Sequence, residues 1–406
     1  MRVLLTGLVL FGLSSLAGGF AQSPGELVAA RAVQGLGAAG LAPAALALLT
    51  ATFPAGRPRV RAFGVWAATN AAGGALGVLI GGVLTQYAGW RWVMFVSVPM
   101  SAIALALAWR AVPADRPVAP TARPDVLGGV LGTGGMSLLV FGIVRTDRHA
   151  WASATTLTTL AVAVALLAAF LAVERRTTRD PLIRPGLLAG RSVAGANAYN
   201  LLAGAAMAAS FYFCSLYLQR VLAVGPARTG LMFLPFALGV VAGSVLAIRL
   251  GYRLAPRTLL IGGALLTAAG FLWFGRISPY GTFLTDVLGP SLLASTGFGL
   301  CLGPVVATAT AGVPAHESGT ASGLLNAARQ IGASLGLAVL GTAAQHRTAG
   351  ITPLSPTPES LTSGYALGLT LSAALLLAAA AIAVTVLPRH PVPAGSRRPV
   401  PQRTAP

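Results

Sequence analysis

The chain has no lysine. All 28 of its basic residues are arginine, set against only nine carboxylates, and the formal net charge is +19. Charged residues make up 9% of the chain, where a soluble globular domain carries about 25%. So little charge excludes an ordinary water-facing surface. The arginines lie in short loops, not in a patch interleaved with aromatics, which argues against a nucleic-acid partner. Cysteine is almost missing too. Cys214 and Cys301 both fall in apolar runs and support neither a disulfide framework nor a zinc site. Four histidines, His149, His316, His346 and His390, sit in loops or the tail without metal-ligand spacing. Two strings imitate enzyme motifs: GLGAAG from Gly35 and GASLG from Gly332. The first needs a preceding strand and the second a strand-to-helix turn, and both stand inside long apolar segments. No enzyme activity, metal or cofactor is expected.

What is abundant is apolar sequence. Hydrophobic residues make up 55% of the chain and the mean hydropathy is +0.77. Twelve segments reach spanning length: 3–20, 26–50, 63–86, 93–111, 126–145, 155–173, 193–219, 228–249, 258–275, 283–311, 320–345 and 363–387. About twenty apolar residues cross a hydrocarbon core of about 30 Å. The expected fold is therefore an all-α polytopic membrane bundle. The first segment has the outline of a secretory signal, but eleven more spans come after it. With both termini cytoplasmic, nineteen arginines fall in inner loops and tails and seven in outer loops. The positive-inside rule favours that orientation. The tail from 388 to 406 reads as a basic cytoplasmic end.

Two arginines remain inside spans, Arg31 and Arg329. A guanidinium at membrane depth costs at least about 2.5–3.5 kcal/mol on insertion scales and marks a functional site by default. Arg31 and Gln34 are three apart, on one helix face, and are expected to present a buried cation to a central cavity. Asn326, Arg329 and Gln330 form a second intramembrane polar cluster. Asn70 aligns with Arg329 in an internal repeat. Of the carboxylates, Glu26 and Asp286 fall near outer ends of spans, Asp125 and Glu317 near inner ends. All four read as interface residues. Glu26, five residues before Arg31, is the foremost candidate proton carrier among them.

The repeat organises the chain. AFGVWAATNAAGGALGVLIGG from Ala62 aligns without a gap to ASGLLNAARQIGASLGLAVLG from Ala321. Gly64 pairs with Gly323, Gly73 with Gly332, Gly77 with Gly336 and Gly82 with Gly341. Phe53-Pro54-Ala55 matches Val313-Pro314-Ala315, and RVLLTGLVL from Arg2 resembles RTLLIGGAL from Arg257. The copies run the same way, so the halves are related by an axis along the membrane normal. The division expected is a first half over 1–111, an inserted span pair with its linker over 112–192, a second half over 193–387 and the tail. The second half has two spans before Arg257 that have no counterpart before Arg2, so this chain as written is expected not to transport alone. Gly73, Gly77 and Gly81 form a small-xxx-small face for close helix packing, with Gly82 beside it.

These features resemble the major facilitator superfamily, in particular its fourteen-span drug:proton antiporter branch. RAVQGLGAA from Arg31, with Gln34 and Gly35, looks like that branch's fourth-span motif. Gly73-Gly74, Gly77 and Gly81-Gly82 look like its fifth-span antiporter motif. GWRW at Gly89–Trp92 is similar to the stretch just after that motif, and Gly319–Thr342 is similar to the branch's thirteenth span. Val78, Ser97 and Tyr252 depart from the pattern, which has Pro, Asn and Asp there. The resemblance implies a hinge or leak-sealing role for the glycines. It also implies proton-coupled efflux of small hydrophobic or amphiphilic compounds, drugs or natural products, by alternating access in the plasma membrane. Arg31, Gln34, Glu26, Asn70, Asn326, Arg329 and Gln330 would carry substrate binding or proton coupling. An uptake permease for a small metabolite, and a non-transporting remnant or interaction subunit, remain the other readings of the same sequence.

Overall fold

A computed structural model describes residues 2–53, 57–111, 125–145, 152–176, 190–313, 318–352 and 355–388. Glu317, the tail after 388 and the side chain of Asn70 lie outside the described residues. The described chain is helical, with no strand. Its helices are α1 Arg2–Phe20, α2 Pro24–Thr52, α3 Arg57–Tyr87, α4 Arg91–Phe95, α5 Ser97–Ala111, α6 Val126–Val144, α7 Ala154–Arg176, α8 Arg191–Leu216, α9 Pro226–Met232, α10 Leu234–Gly251, α11 Pro256–Phe274, α12 Gly289–Thr310, α13 Ser318–Ile351 and α14 Pro358–Thr385. Two π-helical turns, Tyr217–Val221 and Phe283–Leu288, end α8 and precede α12.

Helix is what lipid demands, because no water is present to satisfy a backbone N–H or C=O. Local sequence sets the boundaries. Ser23 caps α2 by accepting the Glu26 N–H, and Pro24 occupies its first turn. Thr357 and Ser360 form a reciprocal capping box at α14, again with proline at the first position. Among the described residues nine segments are long and apolar enough to cross a membrane. α2, α3 and α13, at 29, 31 and 34 residues, exceed the required length and are the three that carry the polar candidates. With the nine, these three helices are roughly consistent with the twelve spans read from the sequence.

The chain divides into two compact units, Met1–Arg123 with Ser215–Leu238 and Pro279–Leu288, and Pro124–Cys214 with Gly239–Ser278 and Gly289–Pro406. In the first, α1 packs against α2, α4 and α5, and α3 against α9. Phe95 meets Phe20 and Trp92 edge-on at 5.1 and 5.8 Å. Arg91 donates to the Ala21 carbonyl at 3.0 Å, fixing the α1–α2 turn. In the second, α11 packs against α12 and α14, α13 against α14, and α6 against α7. Tyr199, Phe213, Leu260, Phe271 and Leu369 are fully buried there. Lipid is as apolar as leucine, so these contacts hold by close van der Waals fit. Large apolar side chains point outward along α5, among them Met100, Ile103 and Leu107 at 60–65% exposure. That surface suits a bilayer, not water.

Candidate functional site

Four of the polar candidates fall into two arrangements: Arg31 and Gln34 in a hydrogen-bonded relay in the first unit, Asn326 and Arg329 in a pair in the second. In the first, α1 and α2 cross closely. A Cβ at Gly37 would stand 2.8 Å from the Phe11 nitrogen and 2.9 Å from the Gly7 carbonyl oxygen, so only glycine permits this approach. The crossing brings Gln34 onto α1. Arg31 Nη1 donates to Gln34 Oε1 at 2.7 Å, Gln34 Nε2 donates to Ser15 Oγ at 2.6 Å, and Ser15 Oγ donates to the Phe11 carbonyl at 2.7 Å. Ser15 is 0% exposed and Gln34 5%.

The two members of the pair differ in exposure within the protein. Gln34 is the buried member; Arg31 is exposed, two turns into α2. The long guanidinium reaches past the α1–α2 seam, while the shorter amide fits within it. The relay runs from an exposed cation to the part-buried Phe11 carbonyl, and each member donates to the next. Arginine keeps its proton in proteins, and neither an amide nor a serine titrates at neutral pH. The relay therefore orients a fixed positive charge and does not conduct protons. A fixed cation in a span can hold a carboxylate, a phosphate or a strong hydrogen-bond acceptor, and it lowers the proton affinity of any carboxylate brought near it.

Glu26 is used locally. Its carboxylate accepts from the Gln22 N–H at 2.9 Å and from Ser23 Oγ at 3.0 Å, in the capping turn of α2. In the second unit, Arg329 Nη2 donates to Asn326 Oδ1 at 3.1 Å. Asn326, Arg329 and Gln330 are all exposed on the protein surface. The buried amides are on α8 instead. Asn200, 9% exposed, donates to the Leu325 carbonyl at 2.8 Å and docks α8 on α13 beside that cluster.

The glycines separate into two groups. Cβ atoms at Gly332 and Gly336 would collide with Leu201 and Ala205 of α8, and one at Gly204 with the Arg329 carbonyl. Gly35, Gly73, Gly77 and Gly81 meet open space among the described residues. Gly82 alone of that stripe is tightly packed, against the Pro226 carbonyl of α9. Close packing, expected along Gly73–Gly81, is found there only one residue further on.

Sequence reasoning missed Ser15, Asn200 and the Tyr199 hydroxyl, which lies 3.0 Å from Cys301 Sγ and donates to the Leu260 carbonyl at 3.1 Å. The NAYN string at 197–200 was the available signal, two amides within an apolar run. Ser15 carried none, since a serine in a spanning helix usually bonds its own backbone.

The sequence model of the Major Facilitator Superfamily matches residues 1–337. The puromycin resistance protein pur8 of Streptomyces alboniger is 38% identical over 391 residues, 94% of this chain and 77% of that protein. The cephamycin export protein CmcT of Amycolatopsis lactamdurans is 40% identical over 390 residues, 95% of this chain and 79% of that protein. The tetracenomycin C resistance and export protein of Streptomyces glaucescens is 32% identical over 357 residues, 87% and 65% of the two chains. Among solved structures, a bacterial homolog of the human lysosomal transporter Spinster superposes with a TM-score of 0.61 at 18% identity, covering 95% of this chain and 81% of that one. A peptide transporter POT in complex with sulfate gives 0.62 at 16% identity, covering 96% and 81%. These two share the fold.

Proposed function

Since the chain belongs to the major facilitator superfamily, we propose that it exports small hydrophobic or amphiphilic compounds, drugs or natural products, in exchange for protons. It is a multi-pass membrane transporter of the efflux type. The observation that carries this is similarity across more than nine tenths of the chain to proteins named for puromycin resistance and cephamycin export. With so few charges in its spans, the chain suits substrates that are apolar or weakly cationic. Transport proceeds by alternating access, the site opening to one side of the membrane at a time.

Arg31 is the fixed charge of this mechanism, and Gln34 and Ser15 hold its direction. Because arginine does not release its proton, it acts on a partner, raising the affinity for a substrate acceptor group or favouring the ionised form of a carboxylate. Asn326 and Arg329 supply a second, more weakly held polar pair, with Gln330 and Asn70 beside them in sequence and repeat. The plasma membrane is the location proposed, with both termini cytoplasmic, because of the arginine asymmetry. Reporter fusions after Ala150 and after Arg398 then score outside and inside respectively.

The test is expression in a drug-hypersensitive host, of this chain and of a version preceded by two further spans, with accumulation of a panel of antibiotics and cationic dyes measured with and without a protonophore. Lowered accumulation of at least one compound, restored by the protonophore, is the expected result. Unchanged accumulation across the panel in cells that carry the protein in the membrane would overturn the proposal.

A further inference from the structure

One face of α5 carries a shallow groove of about 350 Å³, lined by Ala102, Leu105, Ala106, Trp109 and Arg110. These five stand at i, i+3, i+4, i+7 and i+8, a single stripe along the helix. The alanines are short and their neighbours long, which makes the face concave. Ala102, Ala106, Trp109 and Arg110 are all exposed. The adjoining face is taken by α1: Ser101 is buried, and a Cβ at Gly12 would stand 3.2 Å from its Cβ. A groove open along one side holds a chain laid on the helix better than it holds an enclosed compound.

The groove ends in positive charge. Phe20 meets Phe95 just before α5, and Gly12 meets Ser101 within it, so α1 and α5 run antiparallel. Arg2 then lies about 15 Å along α1 from Gly12, and Arg110 about 14 Å along α5 from Ser101. Both arginines stand at the same end of the helix pair, and neither helix contains a carboxylate. Arg110 is in the last turn of α5. The negative end of the helix dipole offsets about half an elementary charge there, so the end stays positive. Among the described residues Arg110 has no hydrogen bond or ion pair. Other arginines at helix ends are committed to the protein. Arg91 donates to the Ala21 carbonyl and lies 4.7 Å over the Trp90 ring. Arg257 and Arg191 donate to the Ala383 and Thr385 carbonyls, at 2.9 and 3.3 Å, at the end of α14.

We propose that this groove binds an anionic phospholipid. One acyl chain lies along Ala102, Leu105 and Ala106, and the headgroup phosphate rests on Arg110. Guanidinium and phosphate form a charge-assisted pair. The Trp109 indole sits between them and the apolar floor, at the level where interfacial tryptophans are found. From Ala102 to Arg110 the helix rises about 12 Å, which fits within one leaflet of a hydrocarbon core of about 30 Å. A lipid with no net charge brings its own cation to the guanidinium, so an anionic headgroup is preferred. A protein occupant would have to carry an acidic group to the membrane surface beside an apolar segment; a phospholipid has both parts already. The leaflet concerned rests on the orientation proposed above, which sets this end of α5 on the cytoplasmic side, where anionic lipids concentrate.

Fluorescence quenching by brominated lipid tests this in the purified full chain, reconstituted in vesicles of phosphatidylcholine with a minor share of phosphatidylglycerol. Both leaflets have one composition, so the direction of insertion does not matter. The Trp109 signal is the difference between wild type and Trp109→Phe. Bromines are placed on the acyl chains of one lipid at a time. At equal mole fraction of the brominated species, phosphatidylglycerol should be enriched at Trp109 by about fivefold, the scale of one arginine at an anionic surface. Arg110→Ala should bring the two lipids close to parity, while Arg110→Lys keeps the preference. Equal quenching by the two lipids in wild type, or a preference retained in Arg110→Ala, would overturn the proposal. So would a Trp109 signal quenched by neither lipid, which would mean that protein covers the groove. Reporter fusions that score the reverse topology would overturn the orientation and leave the preference measured in vesicles standing.

Discussion

α3 and α13 carry the same glycines at the same spacing and use them in opposite ways. In α13, Gly332 and Gly336 lie against the backbone of α8, whose own Gly204 lies against α13 in return. Their matches in α3, Gly73 and Gly77, meet open space among the described residues. At the far end the pattern reverses: Gly82 is pressed against α9, while its match Gly341 meets open space among the described residues. A small-xxx-small stripe is therefore a capacity for close approach. Whether a given glycine is indispensable depends on the helix that faces it, and the repeat alone does not settle that.

The largest expected effect breaks the comparison at its tight end. Gly332→Leu and Gly336→Leu should cost about 3 kcal/mol or more, because overpacking already costs 1–3 kcal/mol and here the obstacle is backbone. In thermal melts of the detergent-solubilised protein these variants should lose their folded transition. Gly73→Leu and Gly77→Leu should melt within about 0.5 kcal/mol of wild type, as substitutions without close neighbours do. Equal destabilisation of the matched pairs would mean that the two copies are packed alike.

The reversed end sharpens the comparison. Gly82→Ala should destabilise by about 1–3 kcal/mol through collision with the Pro226 carbonyl, and Gly341→Ala should be neutral or stabilising, since alanine is the better helix former. The same melts read both.

The spans were legible in the sequence because hydropathy alone writes them. The segment read as 155–173 became Ala154–Arg176, and that read as 283–311 became Phe283–Thr310. The course of the chain within a span was not legible. The break at Val96 between α4 and α5, and the π turns at Tyr217 and Phe283, leave the apolar run unbroken. They are decided by tertiary partners such as the hydrogen bond from the Tyr217 hydroxyl to Asp286. Arg31 and Gln34 were readable as a pair, because spacing of three places them on one face. Their relative burial was not, since it depends on where α1 crosses α2. The crossing is set by Gly7 and Gly37, which look like any other glycines in a chain that has fifty.

Smaller effects compare the two polar arrangements. Ser15→Ala removes a buried acceptor for Gln34 and should cost about 1 kcal/mol, the usual net worth of an intramolecular hydrogen bond. Asn326→Ala, on an exposed pair, should stay within about 0.5 kcal/mol. Chemical denaturation of both variants in the same detergent checks the order. A larger loss for Asn326→Ala would make the second unit's pair the better-anchored one.

The central claim is that proton-driven export depends on the oriented charge of Arg31. The direct measurement is uptake of an exported dye into inverted membrane vesicles under an imposed proton gradient, for wild type, Arg31→Ala and Arg329→Ala at matched membrane levels, each preceded by two further spans. The account predicts gradient-driven uptake by wild type, its loss in Arg31→Ala with membrane insertion intact, and a lesser reduction in Arg329→Ala. Wild-type uptake by Arg31→Ala, or wild-type uptake indifferent to the gradient, would contradict it.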